Sequence, residues 1–199
     1  MLQNQFNQNM ASAFKGQWYD ISDTEAVGRS VQYSSIPFGV AVVQGTNDNQ
    51  CRLPDHGGYF ATLDAAKVAT VPARDRFIGL VMYHAANARC PGANLVLPVG
   101  DDDCGYLAET ETASIATEGR IYCQTEVDVA QGDPVYFRHT LADNAAAPQT
   151  QQLGALRNDD DGGNAELIKG AIWMYSQEAG GLGVVNLSAS TEPNNETAA

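Results

Sequence analysis

Apolar and β-branched residues along this 199-residue chain alternate with polar ones in short runs, and Gly, Pro, Asn and Asp cut the runs. A period of two sends successive side chains to opposite faces of a pleated strand, so the pattern belongs to half-buried β-strands and not to helices. It predicts strands over 30–33, 38–44, 77–83, 95–99, 106–110, 119–125, 134–139, 167–175 and 183–187. Turn chemistry fills 45–49, 54–58, 98–103, 131–134 and 158–164 between them. The strongest alternation sets Ile121, Cys123, Thr125, Val127 and Val129 on one face and Tyr122, Gln124, Glu126 and Asp128 on the other. Cys123 therefore reads as a small apolar filler of a core. Helical signals are scarce: only 63–69, with Thr62 as an N-cap, qualifies. The expected fold is all-β, a sandwich or barrel-like domain of short strands with at most one or two short helices.

Two stretches resemble each other. Gly28-Arg29-Ser30-Val31-Gln32 leads to Gly39-Val40-Ala41-Val42, and Gly119-Arg120-Ile121-Tyr122-Cys123-Gln124 leads to Pro134-Val135-Tyr136-Phe137. Each reads as strand, turn, strand: a duplicated unit, or two hairpins sharing a turn grammar. The ends differ from the middle. Residues 1–15 read as a polar N-terminal arm, 16–187 as a single β-rich domain, and 188–199 as a flexible tail whose composition cannot build a core.

Composition narrows the class. Eleven Lys+Arg against 24 Asp+Glu give a net charge of −13, yet only 18% of residues are charged, below the roughly 25% usual in soluble domains. The acidity thus comes from a shortage of basic residues. Scattered cations make no patch for a nucleic-acid backbone. No apolar run approaches the roughly 20 residues of a membrane-spanning helix, and the amino terminus shows no secretory signal. Cys51, Cys90, Cys104 and Cys123 form neither a CxxC pair nor a disulfide framework, and the expectation is free thiols in a reducing cytoplasm.

A search for chemistry returns no constellation. The triplets Asp101–Asp103 and Asp159–Asp161 invite calcium, but no EF-hand register fits, and they read as solvated turn residues. His56, His84 and His139 lie far apart, with no zinc spacing. There is no GxSxG elbow, and Gly180-Gly181-Leu182-Gly183 enters a strand, so it reads as a tight turn and not a phosphate cradle. No catalytic, cofactor-binding or metal-binding residue is assigned. Two alternatives stay open: an enzyme whose Cys–His site assembles only in three dimensions, and a surface protein that presents Trp18, Tyr19 and Tyr59 on loops to glycans or receptors.

The order of motifs resembles the structural cement (capsid decoration) proteins of tailed bacteriophages. It is carried by Ile36-Pro37-Phe38-Gly39-Val40-Ala41-Val42, by Phe77-Ile78-Gly79, by Gly119-Arg120-Ile121 leading to Gly132-Asp133-Pro134-Val135-Tyr136-Phe137, and by Ile168-Lys169-Gly170-Ala171 before the Gly180–Gly183 turn. The resemblance spans roughly 26–187 and offers no counterpart for Cys51, Cys90 or Cys104. It implies a non-enzymatic protein of the virion, made in the host cytoplasm and placed on the capsid exterior. There it would bind the major capsid protein, self-associate as a homotrimer, and cement neighbouring subunits against the pressure of packed DNA. It implies no cofactor, no nucleic-acid partner and no membrane.

Overall fold

The computed structural model describes residues 13–21, 23–55, 76–83, 105–106, 111–141 and 151–188. The expected helix over 63–69 and strand over 95–99 lie outside them. The described residues form β-strands and no helix, as the period-two pattern requires.

Five strands close a small barrel: β1 (Glu25–Val31), β3 (Ala41–Gln44), β4 (Gln50–Arg52), β5 (Phe77–Val81) and the first half of β7 (Thr112–Gln124). Their order is β1-β4-β3-β5-β7, and β7 returns to pair with β1. Every pairing is antiparallel except β1 with β4. A minor ribbon joins β2 (Ile36–Pro37) to β6 (Gly105–Tyr106).

The second half of β7 begins another sheet with β8 (Pro134–Arg138), β9 (Leu156–Arg157), β10 (Ala165–Trp173) and β11 (Leu182–Leu187), in the order β7-β11-β10-β8-β9. Just past β7, Thr125 makes a parallel bridge to Leu156 of β9, and the Glu126 amide donates to the Leu156 carbonyl at 2.8 Å. That contact curls the second sheet shut. Both units now have one topology. In chain order the first strand lies parallel beside the third, the third beside the second, the second beside the fourth, the fourth beside the fifth, and the fifth returns to the first. Strand β7 ends one barrel and begins the next.

The similarity in the sequence is therefore an internal repeat of a five-stranded barrel. The two look-alike stretches occupy the first and second strands of each unit, and the hairpin reading is corrected, because the third strand stands between them in both. The third strands match as well, each ending on a buried arginine: Arg52 on β4 and Arg157 on β9.

Gly119 marks the handover, with a φ of 113° that side chains avoid, and a Cβ there would come within 2.8 Å of Thr24 Cγ2. Beyond it, a strap over residues 16–21, paired through 16–19, takes the place of β1. Gly16 and Tyr19 donate backbone hydrogen bonds to the carbonyls of Tyr122 and Arg120, and Tyr122 donates to that of Gln17. Inside the first barrel pack Val31, Phe38, Val40, Val42, Cys51, Val81 and Ile115. Ala41 and Val43, on the other face of β3, join a second core with Ile121, Cys123, Val135, Phe137, Leu156, Ile168, Trp173 and Val185. Strand β3 is thus buried on both faces. At the seam Phe77 stacks on Phe137 with ring centroids 5.7 Å apart, a contact worth about 1 kcal/mol beyond the area it buries.

One strand departs from simple alternation. In β10 Ile168 and Ala171 are buried while Leu167 and Ile172 are exposed. The pairing with β8 shifts register between Leu167 and Ile172, and Gly170 within that stretch has a φ of 79°. The resulting bulge keeps both large side chains on the outer face.

Candidate docking face and buried charge cluster

Glu126, in the turn after β7, lies beneath the closure of the second barrel with its side chain 6% exposed. Arg138 Nε donates to both of its carboxylate oxygens, at 2.8 and 3.0 Å, and Arg157 Nη1 donates to Oε2 at 3.1 Å. Asp161 completes the cluster, accepting from Arg138 Nη1 at 2.7 Å and Arg157 Nη2 at 3.1 Å. The more exposed Asp159 accepts from Arg157 Nε, and that charge-assisted bond holds its carboxyl below the usual carboxylate range. The triplet lies in a turn with Asp159 and Asp160 exposed, as the sequence reading has it, and the ion pairs of Asp159 and Asp161 add to that reading. Asp160 does shape the turn, its carbonyl accepting the amides of Gly163, Asn164 and Ala165. Its two neighbours instead neutralise buried arginines. The sequence hides this because Arg138 and Glu126 lie far from the triplet along the chain and meet it only when the barrel closes.

The residues searched for catalysis do not assemble among the described residues. Cys51 and Cys123 are buried, and desolvation raises both thiols, that of Cys51 to about 12. A nucleophilic or metal-binding thiolate needs the opposite shift. His139 Nδ1 lies 2.9 Å from Thr140 Oγ1, and its ring meets Phe137 edge-on. His56, His84, Cys90, Cys104 and the 101–103 triplet lie outside the described residues. Among the described residues no group of three or more His, Cys, Asp or Glu is placed to hold a metal ion. A cleft between Phe38–Val40 and Gln124–Glu126 has a cavity volume of about 20 Å³, room for about one water. Gly183 serves packing, since a Cβ there would stand 2.7 Å from the Trp173 ring.

What the second barrel does present is an aromatic face. Among the described residues the large hydrophobic side chains left exposed are Tyr19, Ile21, Leu167, Ile172 and Tyr175, all on this barrel or its strap. The Tyr19 and Tyr175 hydroxyls are 3.0 Å apart, and the Tyr19 ring leans on Tyr122 at 5.5 Å. The hydrogen bond with Tyr175 raises the Tyr19 phenol above its ordinary pKa, so Tyr19 stays neutral at physiological pH. The pairings Ile172↔Asn186 and Asn186↔Arg120 put Ile172 on the same sheet face as Arg120 and, two residues on, Tyr122. Arg120 pairs with Asp20 at 2.8 Å where the strap crosses. Trp18 instead packs against the core beside its bridge to Ile121, and Tyr59 lies outside the described residues.

Comparison with known proteins agrees with this architecture. A family model described as structural cement protein (E217 gp24/Pam3 gp6) matches residues 2–188. A chain in the solved capsid of Myoviridae phage XM1 has a similar fold, with a TM-score of 0.61 at 12% identity over 94% of this chain and 98% of that one. No curated protein matches. With a family match over nearly its whole length, the chain belongs to the phage structural cement protein family and is a structural component of the phage capsid.

Proposed function

We propose that the protein binds the outer surface of the capsid as a homotrimer and cements adjacent major capsid protein subunits, so that the shell resists the pressure of packed DNA. The family match over residues 2–188 carries the reading. Its chemistry fits. Cementing needs a rigid body with contact area and avidity, not a pocket, and two fused barrels provide one while their exposed aromatic face provides the other. The polar arm over residues 1–14 reaches a neighbouring subunit, and the Phe14 ring at its end stacks on Tyr83. Particles stripped of the protein should release DNA under osmotic or thermal shock at milder conditions than occupied ones, and adding it back should restore resistance. Equal fragility with and without it would refute the cementing role. Deleting 1–14 without loss of capsid occupancy would refute the arm's part alone.

A further inference from the structure

We propose that the aromatic face of the second barrel is the surface that docks on the capsid shell, and that it takes a protein surface with an apolar centre and a basic rim. The inference rests on the cementing role and assigns it a place on the molecule.

The internal repeat supplies the comparison. Two barrels of one topology are joined through β7, so topology alone does not dictate which of them exposes apolar side chains. Among the described residues, the second barrel and its strap hold every exposed large hydrophobic and the first holds none. Ile21 is 90% exposed, flanked by polar residues on the strap, where packing gives it no reason to be isoleucine. Tyrosine suits a contact because its large flat ring loses little conformational entropy and its hydroxyl tolerates water before docking. Tyr19, Tyr122 and Tyr175 buttress one another through ring contacts and a hydroxyl pair, so much of their ordering precedes association.

Charge selects the occupant. Around the strap stand Asp20, Asp23, Glu25 and Glu118, the last two directly opposed across the β1–β7 ladder. Like charges in that position cost stability, and a basic partner would relieve the repulsion. The cations placed there are Arg120, already paired with Asp20, and Lys15, whose Nζ donates to Gln124 Oε1 at 3.3 Å, fewer than the four acids. A second copy of this chain, itself at −13, would oppose acid to acid. A shell surface carrying lysines or arginines around apolar residues fits instead.

The test is co-sedimentation of purified protein with shells lacking it, at two ionic strengths. Wild-type protein should bind, and affinity should fall as salt rises from about 50 mM to about 500 mM. Ile172→Asp/Tyr175→Asp should weaken binding about tenfold or more. Ile21→Asp, at a position too exposed to affect folding, should weaken it severalfold and guards against an unfolded double variant. Asp48→Lys, on the first barrel, should bind as wild type. Undiminished binding by both face variants while the wild type binds would overturn the assignment. So would variants that change only the oligomeric state in analytical ultracentrifugation, which would make the face a contact between copies. Failure of the wild type itself to bind would instead sink the cementing role.

Discussion

Glu126→Gln tests how the second barrel is held shut. The substitution keeps the side chain's shape but removes the charge shared by two buried arginines, whose side chains are 1% and 6% exposed. Three hydrogen bonds lose their anionic acceptor, and the new amide group points a donor at guanidinium donors. Arg157 keeps Asp159 and Asp161, but Arg138, the more deeply buried of the two, is left with the Asp161 it shares with Arg157. Removing one partner of a buried ionic cluster costs about 3–5 kcal/mol, mostly as the penalty of the charge left behind. At about 2–4 °C per kcal/mol for a chain of this size, melting should fall by roughly 6–20 °C. Asp159→Asn removes a charge that is 57% exposed and should cost less than about 1 kcal/mol. Urea unfolding followed by tryptophan fluorescence measures both, because Trp173 is fully buried and its Nε1 donates to the Arg157 carbonyl at 3.4 Å. Equal losses in the two variants, both under about 1 kcal/mol, would refute the reasoning.

Other consequences follow from the same geometry. Gly79→Ala puts a Cβ 2.1 Å from the Ala116 carbonyl oxygen and should cost at least about 2 kcal/mol by urea titration, whereas Gly132→Ala, with nothing within 4 Å but a φ of 87°, should cost about 1 kcal/mol; the reverse order would contradict the close approach of β5 to β7. Asp159 and Asp133 have folded-state pKa values held below the ordinary one by hydrogen bonds from Arg157 and from Asn158 with the Ala130 amide. Their stabilisation is therefore complete above about pH 4 and is lost as pH falls through the folded values; the Asp133→Asn/Asp159→Asn variant should show a smaller drop in melting temperature below that pH than wild type, and parallel curves would contradict the assignment. In a Cys90→Ser/Cys104→Ser background, a thiol reagent at pH 8 should label neither Cys51 nor Cys123 in the folded protein and both in urea, since burial raises both thiols. Rapid labelling of either without denaturant would reopen a thiol chemistry.

The strand pattern was legible because half-buried strands write their burial as a period of two. Ile121, Cys123, Val135 and Phe137 all fill cores as the alternation requires. Less legible was the first half of β7, where Ala113, Ile115 and Ala116 are all buried because that stretch faces one barrel on one side and the second core on the other. A strand covered on both sides has no polar face to mark it. The repeat was visible as echoes of Gly-Arg and of the following apolar strand. Its topology was not, because β4 and β9 are only three and two residues long and reveal their place between neighbours only in the pairing. The charge cluster and the aromatic face were hidden for one reason. Glu126 joins Arg138, Arg157 and Asp161, and Tyr19 meets Tyr175, only across a closed sheet, and no local spacing records such contacts.

The central claim is that this protein sits on the outside of the capsid and joins neighbouring shell subunits. A cryo-electron microscopy reconstruction of the particle tests it most directly. The cementing role predicts density for two fused barrels on the outer surface, in fixed stoichiometry with the major capsid protein, each copy contacting more than one shell subunit with the Tyr19, Tyr122 and Tyr175 face inward. Copies inside the shell, confined to the tail, or each touching a single subunit would contradict it.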